Sequence, residues 1–178
     1  MGDQRLKTIE HIEQVKKLLD LFCGELFYRG KVHDASKLEY PERETFDRYI
    51  PKLKDMTYGS DEYDECLKEM KVGLDHHYAN NRHHPEHFTY YECNGCFTRF
   101  EEMPNVCDIC GYSQFTERPD ISKMNLIDIV EMFCDWKAAT MRHEDGDLAK
   151  SIEINQKRFG FSDELASIFN NTIELFEK

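Results

Sequence analysis

The run His33-Asp34-Ala35-Ser36-Lys37 lies between two stretches of helical patterning, and the architecture can be read outward from it. Upstream, residues 8–29 carry Ile12, Val15, Leu19, Phe22 and Leu26 at helical spacing, with Thr8 placed to cap the start and Gly30 to close the end. Downstream, Pro41 suits the first turn of a helix running over 42–54, and Tyr58-Gly59-Ser60 breaks the pattern. Residues 61–80 read as a third helix with Tyr63, Leu67, Met70 and Leu74 on one face. Helical pattern returns at 124–143 behind Ser122 as a cap, again from Gly146-Asp147 to Phe159, and finally from Ser162-Asp163-Glu164 to Phe176. Between 89 and 119 the helical period vanishes and aromatic, cysteine and turn residues crowd together. The expected fold is therefore all-α, a helical bundle formed by 1–88 and 120–178, with a small β-type module inserted at 89–119.

Composition narrows the function. The chain has 178 residues, 40% hydrophobic, enough for a real core. No apolar run approaches the roughly 18 residues of a membrane span, and the charged N-terminus lacks the apolar segment of a secretory signal. A cytoplasmic location is expected. The formal charge of −12 removes the counterion-release drive toward long duplex nucleic acid, although a local basic pocket still attracts a small phosphorylated molecule. Seven cysteines, an odd number, point to reduced thiols rather than a disulfide framework. Cys23, Cys66 and Cys134 stand singly in helical patterns and are expected in the core.

The other four form two pairs, Cys93-Asn-Gly-Cys96 and Cys107-Asp-Ile-Cys110, the second followed directly by Gly111. Each pair can wrap one side of a tetrahedral ion, and four thiolates leave no open coordination position. A structural zinc is expected, replacing the core that some thirty residues cannot build alone.

Histidines and aspartates are the second signal. His11 shares a helical row with Val15, Leu18 and Phe22 and is expected to face inward. His33-Asp34 follows that helix, His76-His77 ends the third, and His83-His84 comes six and seven positions later. Asp135 sits in a strongly apolar stretch, where a carboxylate is costly unless paired or bound to metal. Taken singly, each has an ordinary explanation. Together, imidazole and carboxylate on converging helices suit a transition metal.

The order His11, His33-Asp34, Asp135 resembles the HD-domain metal-dependent phosphohydrolase superfamily, and His33-Asp34-Ala35-Ser36-Lys37 is similar to its HD-x-(G/S)-K form. HDASKLEYPE, HHYANNRHHPEHF and MNLIDIVEMFCDW more closely resemble an uncharacterised HD-like family of bacteriophages and bacteria. The resemblance implies one or two divalent ions (Mn, Fe, Co, Ni or Zn). His11, His33, Asp34 and Asp135 would hold the first; His77 and His84, with Asp34 bridging, would hold the second. His76 or His83 could take either histidine role. It also implies Asp34 and Lys37 as the catalytic pair, with Lys37 toward a phosphate. Arg82, among the histidines, and Arg142, two turns beyond Asp135 on roughly the same helical face, are further phosphate candidates. Glu42 or Glu86 would act as an acid or orient a histidine, and Arg158 is a weaker phosphate candidate. The implied activity is hydrolysis of a nucleotide-sized phosphomonoester or phosphodiester by metal-activated water. The competing expectations are a di-iron oxygenase of the same fold and a non-catalytic zinc-ribbon binding protein.

Overall fold

The computed structural model describes residues 4–53, 56, 60–142 and 146–177. The chain divides into two compact units, Met1–His33 and Asp34–Lys178. The units part between His33 and Asp34.

The first unit is one helix, α1 (Gln4–Val32). It is longer than the expected 8–29: the Thr8 hydroxyl donates to the Gln4 carbonyl from inside the helix, and Gly30 continues it. His11, Val15, Leu18 and Phe22, expected to share one row, all lie on it.

The second unit begins with a 3-10 turn at Ala35–Leu38, followed by α2 (Glu42–Leu53), α3 (Asp61–Glu69) and α4 (Lys71–Asn80). The single helix expected over 61–80 is in fact two, divided at Met70, whose buried side chain packs with Tyr49 and Cys66. Ser60 caps α3 by accepting from the Tyr63 N–H at 3.2 Å. Packing of α4 on α2 is close: a Cβ on Gly73 would meet the Thr45 side chain at 2.6 Å, so only glycine permits this approach. Glu42 lies one turn before Thr45, and His76 and His77 one turn after Gly73. The same contact therefore brings that carboxylate to those imidazoles.

Residues 89–119 hold a three-stranded antiparallel sheet in the order β2 (Arg99–Phe100), β1 (Thr89–Cys93), β3 (Phe115–Pro119). After it come a 3-10 turn (Ile121–Lys123), α5 (Leu126–Thr140), α6 (Leu148–Phe159), α7 (Asp163–Thr172) and a closing 3-10 turn, Ile173–Phe176. Ser122 lies in the 3-10 turn; α5 is opened instead by Asn125 and Asp128 in a reciprocal capping box. Asp147 caps α6, Gly160 ends it in the left-handed conformation, and Ser162 caps α7. Met132, Phe133, Leu148, Ile152, Phe161, Ala166 and Phe169 make the core between α5, α6 and α7, with the Phe133 and Phe169 rings stacked at 4.9 Å. Lys54, Tyr58, Gly59 and His143, where helix ends and a break were expected, lie outside the described residues.

The molecule is thus mostly helical with a small sheet. Of the lone cysteines, Cys66 is in the core, but Cys23 and Cys134 are exposed. Cys23 lies on the unburied α1, and Cys134 turns away from the face that buries Met132 and Phe133. Among the described residues, no helix is long and apolar enough to cross a membrane.

Candidate metal centre

Two clusters of metal-ligating side chains lie in the second unit. In the first, the sulfurs of Cys93, Cys96, Cys107 and Cys110 all come within 4.8 Å of one another. Cys93 and Cys110 are 3.5 Å apart, as are Cys96 and Cys107. These separations are close to the edge, about 3.8 Å, of a tetrahedron with metal–sulfur bonds of about 2.3 Å. The backbone explains why the pairs converge. Phe97 after one pair and Gly111 after the other are both left-handed, and their N–H groups donate back to the Cys93 and Cys107 carbonyls at 2.9 Å. The Gly95 N–H also points to the Cys93 sulfur at 3.4 Å. A hydroxyl hydrogen bond from Thr98 is the largest cause pulling the Cys96 thiol down to about 6, which favours the ligating thiolate. Four thiols within metal-binding distance are the arrangement expected of a zinc site.

The second cluster brings one carboxylate oxygen to three imidazoles: Asp34, His77, His83 and His84. Asp34 is left-handed (φ 56°), at the turn into Ala35–Leu38. Its Oδ1 lies 3.5 Å from His77 Nε2 and 3.5 Å from His83 Nε2. His77 Nε2 and His84 Nε2 are 2.8 Å apart. For metal–nitrogen bonds of about 2.0–2.1 Å a tetrahedral edge is about 3.3 Å, so small rotations of two rings would seat one ion.

The opposite ring nitrogens carry the orientation. His77 Nδ1 donates to Glu42 Oε2 at 2.8 Å, and His83 Nδ1 faces Glu131 Oε1 at 3.2 Å. A carboxylate at Nδ1 holds the proton there and leaves the Nε2 lone pair aimed at the shared point. Glu42 is wholly buried; it also accepts from Ser36 at 3.0 Å and faces His76 Nδ1 at 2.7 Å. Burial works to raise its pKa, yet the bonds from His76, Ser36 and His77 hold it below the ordinary carboxylate range. Two of the imidazoles, His77 and His84, are kept neutral. Burial, then the Lys37 charge, lowers His77; burial, then His83 and His77, lowers His84 to about 3. Neutral imidazole is the form that binds metal.

The remaining expected residues are placed as follows. Lys37 Nζ pairs with Asp34 Oδ2 at 2.6 Å, on the carboxylate oxygen opposite the one facing the histidines. Asp135 is half-buried on α5; a carboxylate oxygen lies within 4.8 Å of a ring nitrogen of His83, and its negative charge acts on His84. His33 is half-buried in the turn that ends the first unit, and His11 is exposed on α1. Arg82 does not point to an open phosphate position: its guanidinium forks onto Asp128 (3.0 and 3.3 Å) and lies 4.7 Å over the Phe88 ring. Arg142 is exposed in the turn beyond α5 rather than on the helical face of Asp135, because the helix stops at Thr140. Glu86 and Arg158 pair with each other at 2.6 Å.

Three participants were not singled out from sequence: Glu131, Asp128 and Asn81. Asp128, Glu131 and Asp135 form one row on α5 at i, i+3 and i+7: Asp128 pairs with Arg82, Glu131 faces His83, and Asp135 lies within 4.8 Å of His83 and acts by its charge on His84. That spacing was visible, but only Asp135 was read from it. Asn81 donates to Ser36 at 2.7 Å and to the His77 carbonyl at 2.8 Å, tying the HD turn to α4.

Fold and site together define a mostly helical protein with a four-thiol cluster and a separate carboxylate–imidazole cluster. The chain belongs to the family described as "Family of unknown function (DUF5662)", which matches residues 2–175. No curated protein and no solved structure matches it.

Proposed function

We propose that this chain is a metal-dependent phosphohydrolase of the HD type, acting on a nucleotide-sized phosphomonoester or phosphodiester, with a structural zinc in the Cys93, Cys96, Cys107 and Cys110 cluster. The observation that carries the reading is the meeting of Asp34 Oδ1 with His77 Nε2 and His83 Nε2 at 3.5 Å, each ring backed at Nδ1 by a buried glutamate. A cluster that only stabilised the fold would gain nothing from three imidazole nitrogens gathered at one carboxylate oxygen.

Asp34, His77, His83 and His84 would hold a divalent ion, with Asp135 beside His84. When bound, such an ion supplies a water of lowered pKa and neutralises charge on phosphoryl oxygens. The protein's own groups do the rest. Glu42 and Glu131 keep the rings oriented. Asp34 uses one oxygen as ligand and the other to hold the Lys37 ammonium beside the site, where it meets an anionic phosphoryl group. Arg82 supports His83 and α5 through Asp128 instead of gripping substrate.

The test is hydrolysis of a panel of nucleoside monophosphates, cyclic nucleotides and dinucleotides by protein reloaded with Mn, Fe, Co, Ni or Zn. Turnover that disappears in Asp34→Asn and His83→Ala, with the thiolate zinc retained, supports the reading. Absence of turnover with every ion, or consumption of O2 by the iron-loaded protein, contradicts it.

A further inference from the structure

A cavity of about 570 Å³ lies between α4, the 3-10 turn Pro85–His87 and the paired strands β1 and β3. Every residue that lines it belongs to the second unit. Its volume is in the range of small-molecule sites, roughly 300–1,000 Å³. Tyr78 joins it to the metal-ligating cluster: the side chain lines the cavity, and its ring meets the His84 ring at 5.4 Å and the His77 ring at 5.9 Å. The cavity therefore begins one side chain away from Asp34, His77, His83 and His84.

Charge in the lining narrows the ligand. Lys71 and Arg118 supply the cations, and Asp75, Glu86 and Glu117 the carboxylates. Both cations are already engaged: Lys71 bonds Asp75 at 2.8 Å, and Arg118 faces Glu92 at 3.5 Å. A phosphate here would meet more negative than positive charge, whereas a neutral group rich in N–H donors is welcome. Glu86 offers the acceptor. Its Oε1 takes a bond from Arg158 at 2.6 Å, while its Oε2 is buried with no hydrogen-bond partner among the described residues. A buried acceptor left unmet is costly. Because Glu86 stands in the cavity wall, a small turn of its carboxylate presents that oxygen to an entering donor. Arg158 also bonds the Tyr78 side chain, so one guanidinium holds both the carboxylate and the ring.

We propose that this cavity is the subsite for the base of the substrate, with a flat ring against Tyr78 and its N–H edge on Glu86, and that the base it selects is guanine. The assignment rests on the hydrolase reading for what happens to the phosphoryl group, not for the binding itself. Guanine carries a ring N–H and an exocyclic amino group side by side on one edge. An ionised carboxylate only accepts, and it has lone pairs for both donors beside its bond to Arg158. Adenine and cytosine place a ring acceptor next to their amino group, and uracil flanks its ring N–H with two carbonyls, which the carboxylate repels.

The experiment is isothermal titration of the full chain, purified without chelator, with guanosine, inosine and uridine. Nucleosides lack the phosphoryl group, so binding is read apart from turnover. Guanosine is expected to bind about tenfold more tightly than inosine, which lacks the amino group, and than uridine, as one hydrogen bond to a charged acceptor dictates. Glu86→Gln disturbs an ion pair whose Arg158 partner is 51% exposed, which the fold tolerates. It is expected to weaken guanosine about tenfold and bring it level with inosine. Ala79→Phe, which fills the cavity from α4, is expected to abolish guanosine binding; retained thiolate zinc and an unchanged thermal midpoint show that each variant is folded. No guanosine binding at millimolar concentration overturns the proposal. So does unchanged guanosine affinity in folded Glu86→Gln, or equal affinity for the three nucleosides. Pyrophosphate binding that Ala79→Phe abolishes would overturn it too, making the cavity a phosphate site. Guanosine bound in the expected pattern by a protein that hydrolyses no nucleotide would support the cavity assignment and contradict the hydrolase reading alone.

Discussion

Replacing Glu42 by glutamine removes one charge from a wholly buried position and leaves its shape nearly intact. In the wild type this carboxylate takes bonds from Ser36 at 3.0 Å and His77 Nδ1 at 2.8 Å and faces His76 Nδ1 at 2.7 Å. A hydrogen bond to a charged group contributes about 1.5–3 kcal/mol and a neutral one about 0.5–1.5, so Glu42→Gln loses about 1–1.5 kcal/mol at His77. That is about tenfold in metal affinity, the lower end of what losing a ligand's carboxylate partner costs. Glu42→Ala goes further. It strands the His77 Nδ1 donor in a site where the His77 side chain is 3% exposed, at about 1–3 kcal/mol of folding stability. The assay is competition for Co(II) against a chromophoric chelator, with the thiolate charge-transfer band reporting the cysteine cluster separately. Glu42→Gln binding with wild-type affinity at the non-thiolate site, under conditions where Asp34→Ala abolishes it, would refute the orienting role.

Gly73→Ala should destabilise the protein by a few kcal/mol in a thermal or urea melt, because its Cβ would meet Thr45 at 2.6 Å; the same change in an open helix stabilises by about 1 kcal/mol, so the sign is diagnostic. Arg82→Ala takes the guanidinium away from the wholly buried Asp128; since Arg82 is itself 43% exposed, the cost should be about 1–3 kcal/mol in melts, with substrate KM unchanged. Metal-stripped protein should lose stability as pH falls below 6.5. His77 and His84 bind protons more weakly folded than unfolded, down to about 3 for His84, so acid favours the unfolded state across that window. Below 4.5 the stability held by the lowered Glu42 is lost as well; urea midpoints that stay flat from pH 7 to 4 would contradict the histidine assignments.

Much of this molecule was legible in its sequence because its signals are local. The spacing of Cys93, Cys96, Cys107 and Cys110 is enough to bring four sulfurs together, and Asp147 and Ser162 announce the starts of α6 and α7. What stayed hidden depends on which helix packs against which. The period gives α1 an apolar face, but periodicity shows only that a face is apolar and not what covers it. Likewise a single helix over 61–80 fits the residue pattern, and only the packing of Met70 shows the break. His83 and His84 are equivalent in sequence; Glu131, seen once α5 lies beside the 81–84 loop, gives His83 its oriented ring. Arg82 looked like a phosphate ligand because its partner Asp128 is 46 residues away.

The most direct measurement is the number and identity of metal ions per chain in protein purified without chelator, for wild type, Asp34→Ala and His83→Ala. The expected result is one zinc in all three proteins and at least one further transition metal ion in the wild type that both variants lose. One zinc and nothing more in the wild type, persisting after reloading with Mn, Fe, Co and Ni, would contradict a metal centre at Asp34, His77, His83 and His84 and remove the basis for a hydrolase.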